Sequence, residues 1–304
     1  MTLPRRNRID LHCHTARSDG VLRPSDLLAA MRDWGIALAS ITDHDTLDGY
    51  RELRAAGEGD GYPRLLPGVE INGVAHDVPG LWEAELHILG YGMDPDDTTF
   101  EAVLAEQRRL RAQRTDMIVE RLRTLGMPVD EHLPRAWGSG VTSRGRPHVA
   151  RALVAAGHAE SVEDAMRRIL AHGARGYVPR QGLNPREAID AIRAAGGLAS
   201  LAHFREAPDR PEVIERLCDW GLGGIEAYYV SFDETARAAV ARVAAEHGLL
   251  ATGGSDFHGD TWTYEQAQGA CHVPDDVGEK LLAALAPHAA HGRVAALGPE
   301  PVRH

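Results

Sequence analysis

Residues 9–20 read IDLHCHTARSDG, and the fold turns on how that stretch ends. Ile9 and Leu11 alternate with Asp10 and His12, the two-residue period of a short strand, and TARSDG supplies the small, turn-forming residues that close one. On such a strand His12 and His14 point to one side, where two imidazoles can both reach a single metal ion through bonds of about 2 Å. Cys13 points the other way, toward a core. Alone, the histidine pair reads as readily as two polar residues at a strand end. Its meaning depends on what the rest of the chain brings beside it.

Comparable residues recur downstream: His44 in SITDHDT, Glu70 in LPGVEI, His87 in ELHILGY, His203 in SLAHF, and Asp256 with His258 in TGGSDFH. Each is expected at or just past the C-terminal end of an apolar strand, the face of a parallel βα barrel that carries the active site. With His12, His14 and Asp19, nine imidazoles and carboxylates then gather from six strand ends. Independent strand-end caps do not account for such a repeat. Nitrogen and oxygen donors without thiolate suit Mn²⁺, Zn²⁺ or Fe²⁺. Nine ligands exceed one ion, and Glu70 can bridge two, so two or three divalent ions are expected. Clustered ions of this kind activate water and clamp the attacking and leaving oxygens of a phosphoryl transfer.

Around these motifs the chain alternates short apolar runs with helical stretches. IDLH, PSDLLAAMRDWG, ALASITDHD, RLLPGVEI and ELHILGYG follow one another over the first ninety or so residues, and parallel βα units are the natural reading. From Thr98 the character changes. FEAVLAEQRRLRAQRTDMIVERLRTLG carries apolar residues at helical spacing up to a glycine stop, and HVARALVAAG and SVEDAMRRILAHG follow as shorter helices. The βα pattern resumes with NPREAIDAIRAAGGLASLAHF. At 304 residues, one barrel with an insertion and two separate domains both fit the length. The pattern favours a barrel core over 1–96 and 183–296, a helical insertion over 97–182 and a tail at 297–304.

Composition narrows the function. An apolar fraction of 43% and a charged fraction of 25% are those of an ordinary globular protein. The net charge of -11 argues against duplex DNA, although metals in an acidic pocket reverse the local sign and leave a small anionic substrate open. Sixteen histidines are many for this length. Three scattered cysteines indicate neither a disulfide framework nor a zinc cluster and fit a reducing compartment. With no signal-like start and no apolar run of about 18 residues, a cytoplasmic enzyme without membrane contact is expected.

With these residues assembled, the sequence resembles the PHP (polymerase and histidinol phosphatase) family of metal-dependent phosphoesterases. IDLHCHTARSDG, ITDHDT, GVEI, HILGYG, AHF and GGSDFHG match in order across most of the chain. The resemblance implies a distorted seven-stranded α/β barrel, the PHP fold, with a trinuclear metal site at its C-terminal mouth. It implies His12, His14, Glu70 and Asp256 around one metal, Glu70 bridging to a second held by His87 and His203, and Asp19, His44 and His258 on a third. Catalysis would centre on Asp19, His44, Glu70, Asp256 and His258, with a metal-bridging hydroxide as nucleophile. Asp43 and Asp45 would orient neighbours rather than bind metal.

Within the family, GRPHVARALV, GYVP and AGGLASLAHF resemble the subgroup with a helical insertion that dephosphorylates 3′,5′-nucleoside bisphosphates or trims RNA from its 5′ end. That implies a nucleotide or short RNA as substrate, with Mn²⁺ as the family's usual ion. Ser18, Arg146, His148 and Arg180 are the candidate substrate contacts, the arginines because they pair bidentately with phosphate oxygens. A cyclic-phosphate or RNA-end phosphodiesterase is the alternative, followed by a histidinol-phosphate-type phosphatase or a non-catalytic interaction module. Two positions depart from the pattern: Phe204 stands where proline is usual and Phe232 where histidine is common. In 72–85, longer than usual, His76 and Trp82 are further candidates for shaping the pocket, or part of an ordinary surface loop.

Overall fold

The computed structural model describes residues 8–56, 61–75, 78, 81, 85–138 and 140–289. His76, Trp82 and the 297–304 tail lie outside them. The apolar runs form one seven-stranded sheet in sequential order: β1 Ile9–Asp10, β2 Leu38–Ile41, β3 Arg64–Val74, β4 Glu85–Tyr91, β5 Leu198–Leu201, β6 Gly224–Tyr229 and β7 Leu250–Gly254. Past its short ladder the first strand stays extended and meets the last: Leu11 N–H donates to Gly253 O (3.2 Å), Asp256 N–H to His12 O (2.7 Å) and His14 N–H to Phe257 O (3.0 Å). These bonds bring the sheet close to a closed α/β barrel. Gly254 permits this approach, since a Cβ there would lie 2.4 Å from His12 N.

One strand corrects the parallel expectation. β4 runs antiparallel to both β3 and β5, in register from Gly68 opposite Tyr91 to Val74 opposite Glu85. Consecutive strands joined by a short connection pair as a hairpin, whereas a parallel return needs a crossover of a dozen or more residues. Two positional expectations fall with it. His87 lies near the start of β4, and Glu70 lies inside the long β3. Both still reach the mouth: the start of β4 lies beside the ends of its neighbours, and Glu70 lies where β3 runs on past the end of β2 to bridge with His44.

Helices clothe the barrel: α1 Pro24–Trp34, α2 Asp48–Ala56, α3 Thr98–Thr124, α4 Leu133–Trp137, α5 Arg146–Ala155, α6 Val162–Arg168, α7 Pro185–Ala194, α8 Pro211–Asp219, α9 Glu234–Glu246, α10 Tyr264–Ala270 and α11 Asp276–Ala289. From α11, Val277, Leu281 and Leu285 pack with Ile9, Leu38 and Tyr91, at the starts of β1 and β2 and the end of β4, so this helix plugs the end opposite the histidines. Burying each such side chain contributes about 1.5–3 kcal/mol.

The longest helix explains how 97–182 relates to the barrel. Asp97 caps α3, accepting from the Thr99 and Phe100 N–H groups, and Gly126 follows it in the left-handed region at φ 74°. One face of α3 is buried throughout, at Phe100, Leu104, Gln107, Arg111, Arg114, Ile118 and Leu122, the spacing of a continuous helical stripe. Phe100 and Leu104 belong to the barrel core. Ile118, Val119 and Leu122 belong to a separate cluster with Val149, Leu153 and Ile169 from α5 and the end of α6. The polar middle of the stripe lies between the two cores, over the barrel mouth.

Candidate metal centre

The nine residues expected at strand ends meet at one place. Their ligand atoms fall into three groups, each within 4.8 Å: His12, His14, Glu70 and Asp256; Glu70, His87 and His203; and His14, Asp19, His44 and His258. Glu70 joins the first two through different oxygens. Its Oε2 faces His14 Nε2 at 3.1 Å and His12 Nε2 at 3.4 Å, while Oε1 faces His87 Nδ1 at 2.5 Å and His203 Nε2 at 3.4 Å. Asp256 Oδ1 lies 3.2 Å from both His12 Nε2 and His14 Nε2. Asp19 stands 3.4 Å from His44 Nε2 and 3.3 Å from His258 Nε2.

These donors fit divalent ions on their own geometry. His12 Nε2, His14 Nε2, His44 Nδ1 and Asp19 Oδ1 are buried without a hydrogen-bond partner, which costs about 1–3 kcal/mol for each such group. Their neighbours stand 3.1 to 3.6 Å away, close to the edge length that bonds of about 2.0–2.2 Å make when they meet at one centre. Lone pairs aimed at a common point, not at N–H groups, are what a cation needs. Among the described residues, three with side chains also hold the rare left-handed backbone: Asp45 (φ 55°), His203 (φ 32°) and Asp256 (φ 46°). Each conformation costs on the order of 1–3 kcal/mol, and all three are at or beside this site.

The charges are mutually stabilised. Burial penalises the Glu70 carboxylate, but His44, His87 and His12 outweigh it and hold the group well below the carboxylate range; His44 and His258 do the same for Asp19. For His14, burial disfavours the imidazolium, yet Asp256 and Glu70 raise its pKa to about 10. His44 is pulled the other way: burial and nearby Arg111 push its pKa down against the pull of Asp19 and Glu70. Protonated imidazoles in such a site give up their protons when a metal takes their place.

Supporting residues fix the ligand orientations. Glu226 on β6 accepts from His12 Nδ1 (2.9 Å) and from the His203 N–H (2.9 Å), which turns His12 Nε2 toward the cradle. The Tyr229 hydroxyl donates to Asp256 Oδ2 (2.9 Å). Two residues three apart on a strand normally face opposite sides. Here a bulge between Glu226 and Tyr228 lets Glu226 and Tyr229 both face the site. His258 Nδ1 donates to Asp256 O (2.9 Å), presenting its other nitrogen to Asp19. On β3, the Asn72 side-chain amide sits against His87 Nε2, leaving Nδ1 toward Glu70.

The candidate substrate contacts divide. Arg146 and Arg180 line the cavity above the cradle, but Ser18 and His148 do not. The Ser18 hydroxyl is fully buried and committed to Asp43 Oδ1 (2.6 Å), so it steadies the first turn. Asp43 also accepts from the Thr15 N–H (2.8 Å) and hydroxyl (2.7 Å), and it lies outside all three ligand groups. His148, in the first turn of α5, is buried, its Nδ1 accepting from the Gly145 N–H (3.2 Å), and it lines a different cavity with Arg151 and Trp137. Burial lowers its pKa to about 4, so it is a neutral packing residue near pH 7. Phe204 and Phe232 are both buried, and Phe232 packs edge-on against Tyr229 with ring centres 5.2 Å apart.

One residue that ties the mouth together belongs to none of the sequence motifs. Arg111 on α3 donates to Asp19 Oδ2 (3.3 Å), Asn72 Oδ1 (2.8 Å) and Arg144 O (3.1 Å). Arg114, one turn on, donates to Glu85 Oε1 (2.8 Å), and Glu85 also accepts from Arg146 (3.2 Å). Arg180 pairs with Asp45 at 3.3 Å. A signal was present: Gln107, Arg111 and Arg114 occupy stripe positions of α3 where apolar residues belong.

Three carboxylates and six imidazoles converging at the mouth of an α/β barrel, with buried arginines above them, define a metal-dependent hydrolase of phosphate esters. The PHP domain model matches residues 10–129. The 5′-3′ exoribonuclease Rnm of Escherichia coli K12 is 35% identical over 256 residues, covering 82% of this chain and 84% of that protein. A 3′,5′-nucleoside bisphosphate phosphatase of Chromobacterium violaceum is 33% identical, covering 82% and 87%. A structure from Bifidobacterium adolescentis, described as a metal-dependent phosphoesterase, superposes with a TM-score of 0.78 at 33% identity, covering 90% of this chain and 95% of its own. The chain belongs to the PHP family, and it is a metal-dependent phosphoesterase. Among the described residues no helix is long and apolar enough to cross a membrane.

Proposed function

We propose that this phosphoesterase removes the 3′-phosphate from 3′,5′-nucleoside bisphosphates. One observation carries the reading: the ligand cradle shares a single cavity with Arg111, Arg114, Arg146 and Arg180, all from segment 97–182. Such a cavity suits a substrate with two phosphates, one at the cradle and one at the arginines. Buried Arg114 Nη2 and Arg180 Nε have no hydrogen-bond partner, so donors remain for an incoming anion. Glu85, held ionised against its burial by Arg146 and Arg114, keeps both guanidinium groups aimed at the cavity.

Two or three divalent ions, Mn²⁺ first among the candidates, would be held by the three ligand groups and would supply Lewis acidity and activated water. The chain positions the ester for that chemistry. Tyr229, whose hydroxyl burial keeps protonated, holds Asp256, and Arg111 holds Asp19. The arginines fix the second phosphate, so the scissile one is presented in one orientation. This reading takes 97–182 as an insertion that delivers the phosphate clamp to a barrel that carries the ligands. Three unpaired cysteines support a cytoplasmic setting.

The same two-anion arrangement supports a second reading, a 5′-phosphorylated RNA end with its first phosphodiester at the cradle. A screen of 3′,5′-bisphosphonucleotides, short 5′-phosphorylated RNAs, cyclic nucleotides and sugar phosphates separates the two. The expected result is highest kcat/KM on the bisphosphates; preference for RNA selects the second reading, and preference for sugar phosphates overturns both. Elemental analysis after growth in manganese is expected to find two or three divalent ions per chain. Fewer than one would contradict the catalytic reading.

A further inference from the structure

We propose that a second cavity, on the other side of the cradle, seats the substrate's base, with Trp262 as its stacking platform. This rests on the nucleotide reading above and specifies the part of the substrate that reading leaves open. The cavity has a volume of about 350 Å³ and meets the arginine-lined one at Pro147, Asp256 and His258. A ligand with one phosphate at the cradle can therefore extend into both.

The two cavities differ in chemistry. Arg111, Arg114, Arg146 and Arg180 line the first, whereas among the described residues neither arginine nor lysine lines the second. Its charged walls are acidic, from Glu163, Asp256 and Asp260, and Arg151 is turned from outside to pair with Asp260 at 2.5 Å. A further phosphate finds no cationic partner there, and a neutral group is accepted. Trp262 lines this cavity and is 40% exposed, unusual for a large aromatic side chain beside a candidate active site. Tyr229 contributes a second aromatic wall, and Ser231 and Thr261 bring hydroxyls suited to the polar edges of a base.

The platform is anchored at both ends. The Arg151–Asp260 pair ties the loop to α5, and Thr263 caps α10 by accepting from the Gln266 N–H (3.3 Å). With the residues on either side of it tied down, Trp262 presents its exposed indole from a backbone that loses little freedom when a planar ring stacks on it.

The test compares adenosine 3′,5′-bisphosphate with its abasic analogue, 1-deoxyribose 3,5-bisphosphate, on the metal-loaded wild type, Trp262→Ala and Trp262→Phe. In Trp262→Ala the ratio of kcat/KM for the nucleotide over the abasic compound is expected to fall about tenfold or more, mainly through KM, and Trp262→Phe is expected to restore most of it. An unchanged ratio, or a parallel fall on both substrates, overturns the proposal. A wild type that turns over both equally also overturns it while leaving the phosphatase reading intact. A wild type active on neither sinks the nucleotide reading, and calorimetric titration of adenosine 5′-monophosphate then decides the base site separately. About tenfold weaker binding by Trp262→Ala supports the site, and equal binding by both proteins overturns it.

Discussion

Glu70→Gln is expected to lower phosphate release by about a thousandfold or more while the chain stays folded. The side chain is buried, and its two oxygens serve two ligand groups, facing His12 and His14 on one side and His87 and His203 on the other. The amide has the same shape but replaces one anionic donor with an NH₂ group, which faces imidazole nitrogens and cannot bind a cation. Both groups weaken together, so metal content should fall with activity. Turnover, elemental analysis and far-UV circular dichroism on one preparation check this. Near-normal turnover with normal metal content would remove Glu70 from the centre of the mechanism.

Asp19→Asn tests the third group separately. Asp19 faces His44, His258 and Arg111, and no other carboxylate belongs to that group. The substitution keeps an acceptor for Arg111 and so preserves packing, but it leaves the group without an anion. The expected result is about one divalent ion fewer per chain and at least about a hundredfold lower kcat, with the other two groups still loaded. Near-normal turnover would show that two groups suffice for the chemistry.

The two substitutions probe residues that were legible at different ranges. His12, His14 and Asp19 lie within one twelve-residue motif, and their convergence follows from strand period and a tight turn. Glu70 and His87 were legible as ligand types but not in position. Their places depend on β4 reversing direction, and periodicity is the same for a strand in either direction. Arg111 was hidden for a related reason. Its stripe on α3 is visible, but only the docking of α3 across the mouth makes a polar stripe position a neighbour of Asp19.

Ser18 and His148 show the opposite failure. Both lie in or beside motifs that carry function, and both are turned away from the cavity, Ser18 onto Asp43 and His148 back onto the Gly145 N–H that starts α5. Chemistry at a position says which bonds a side chain can make, and rotamer and packing say which it does make. Glu226 required the same knowledge, since a one-residue bulge in β6 decides which side chains look inward.

What the sequence by itself determined is the ligand inventory and the barrel that collects it, because strand-end residues and short apolar runs are local patterns with a local physical cause. Tertiary structure alone decided which oxygen of Glu70 serves which group, which arginines face the substrate, and that an acidic, aromatic cavity adjoins a basic one across the cradle. Those are contacts between segments far apart in the chain. Their energies depend on burial and distance, which no local pattern encodes.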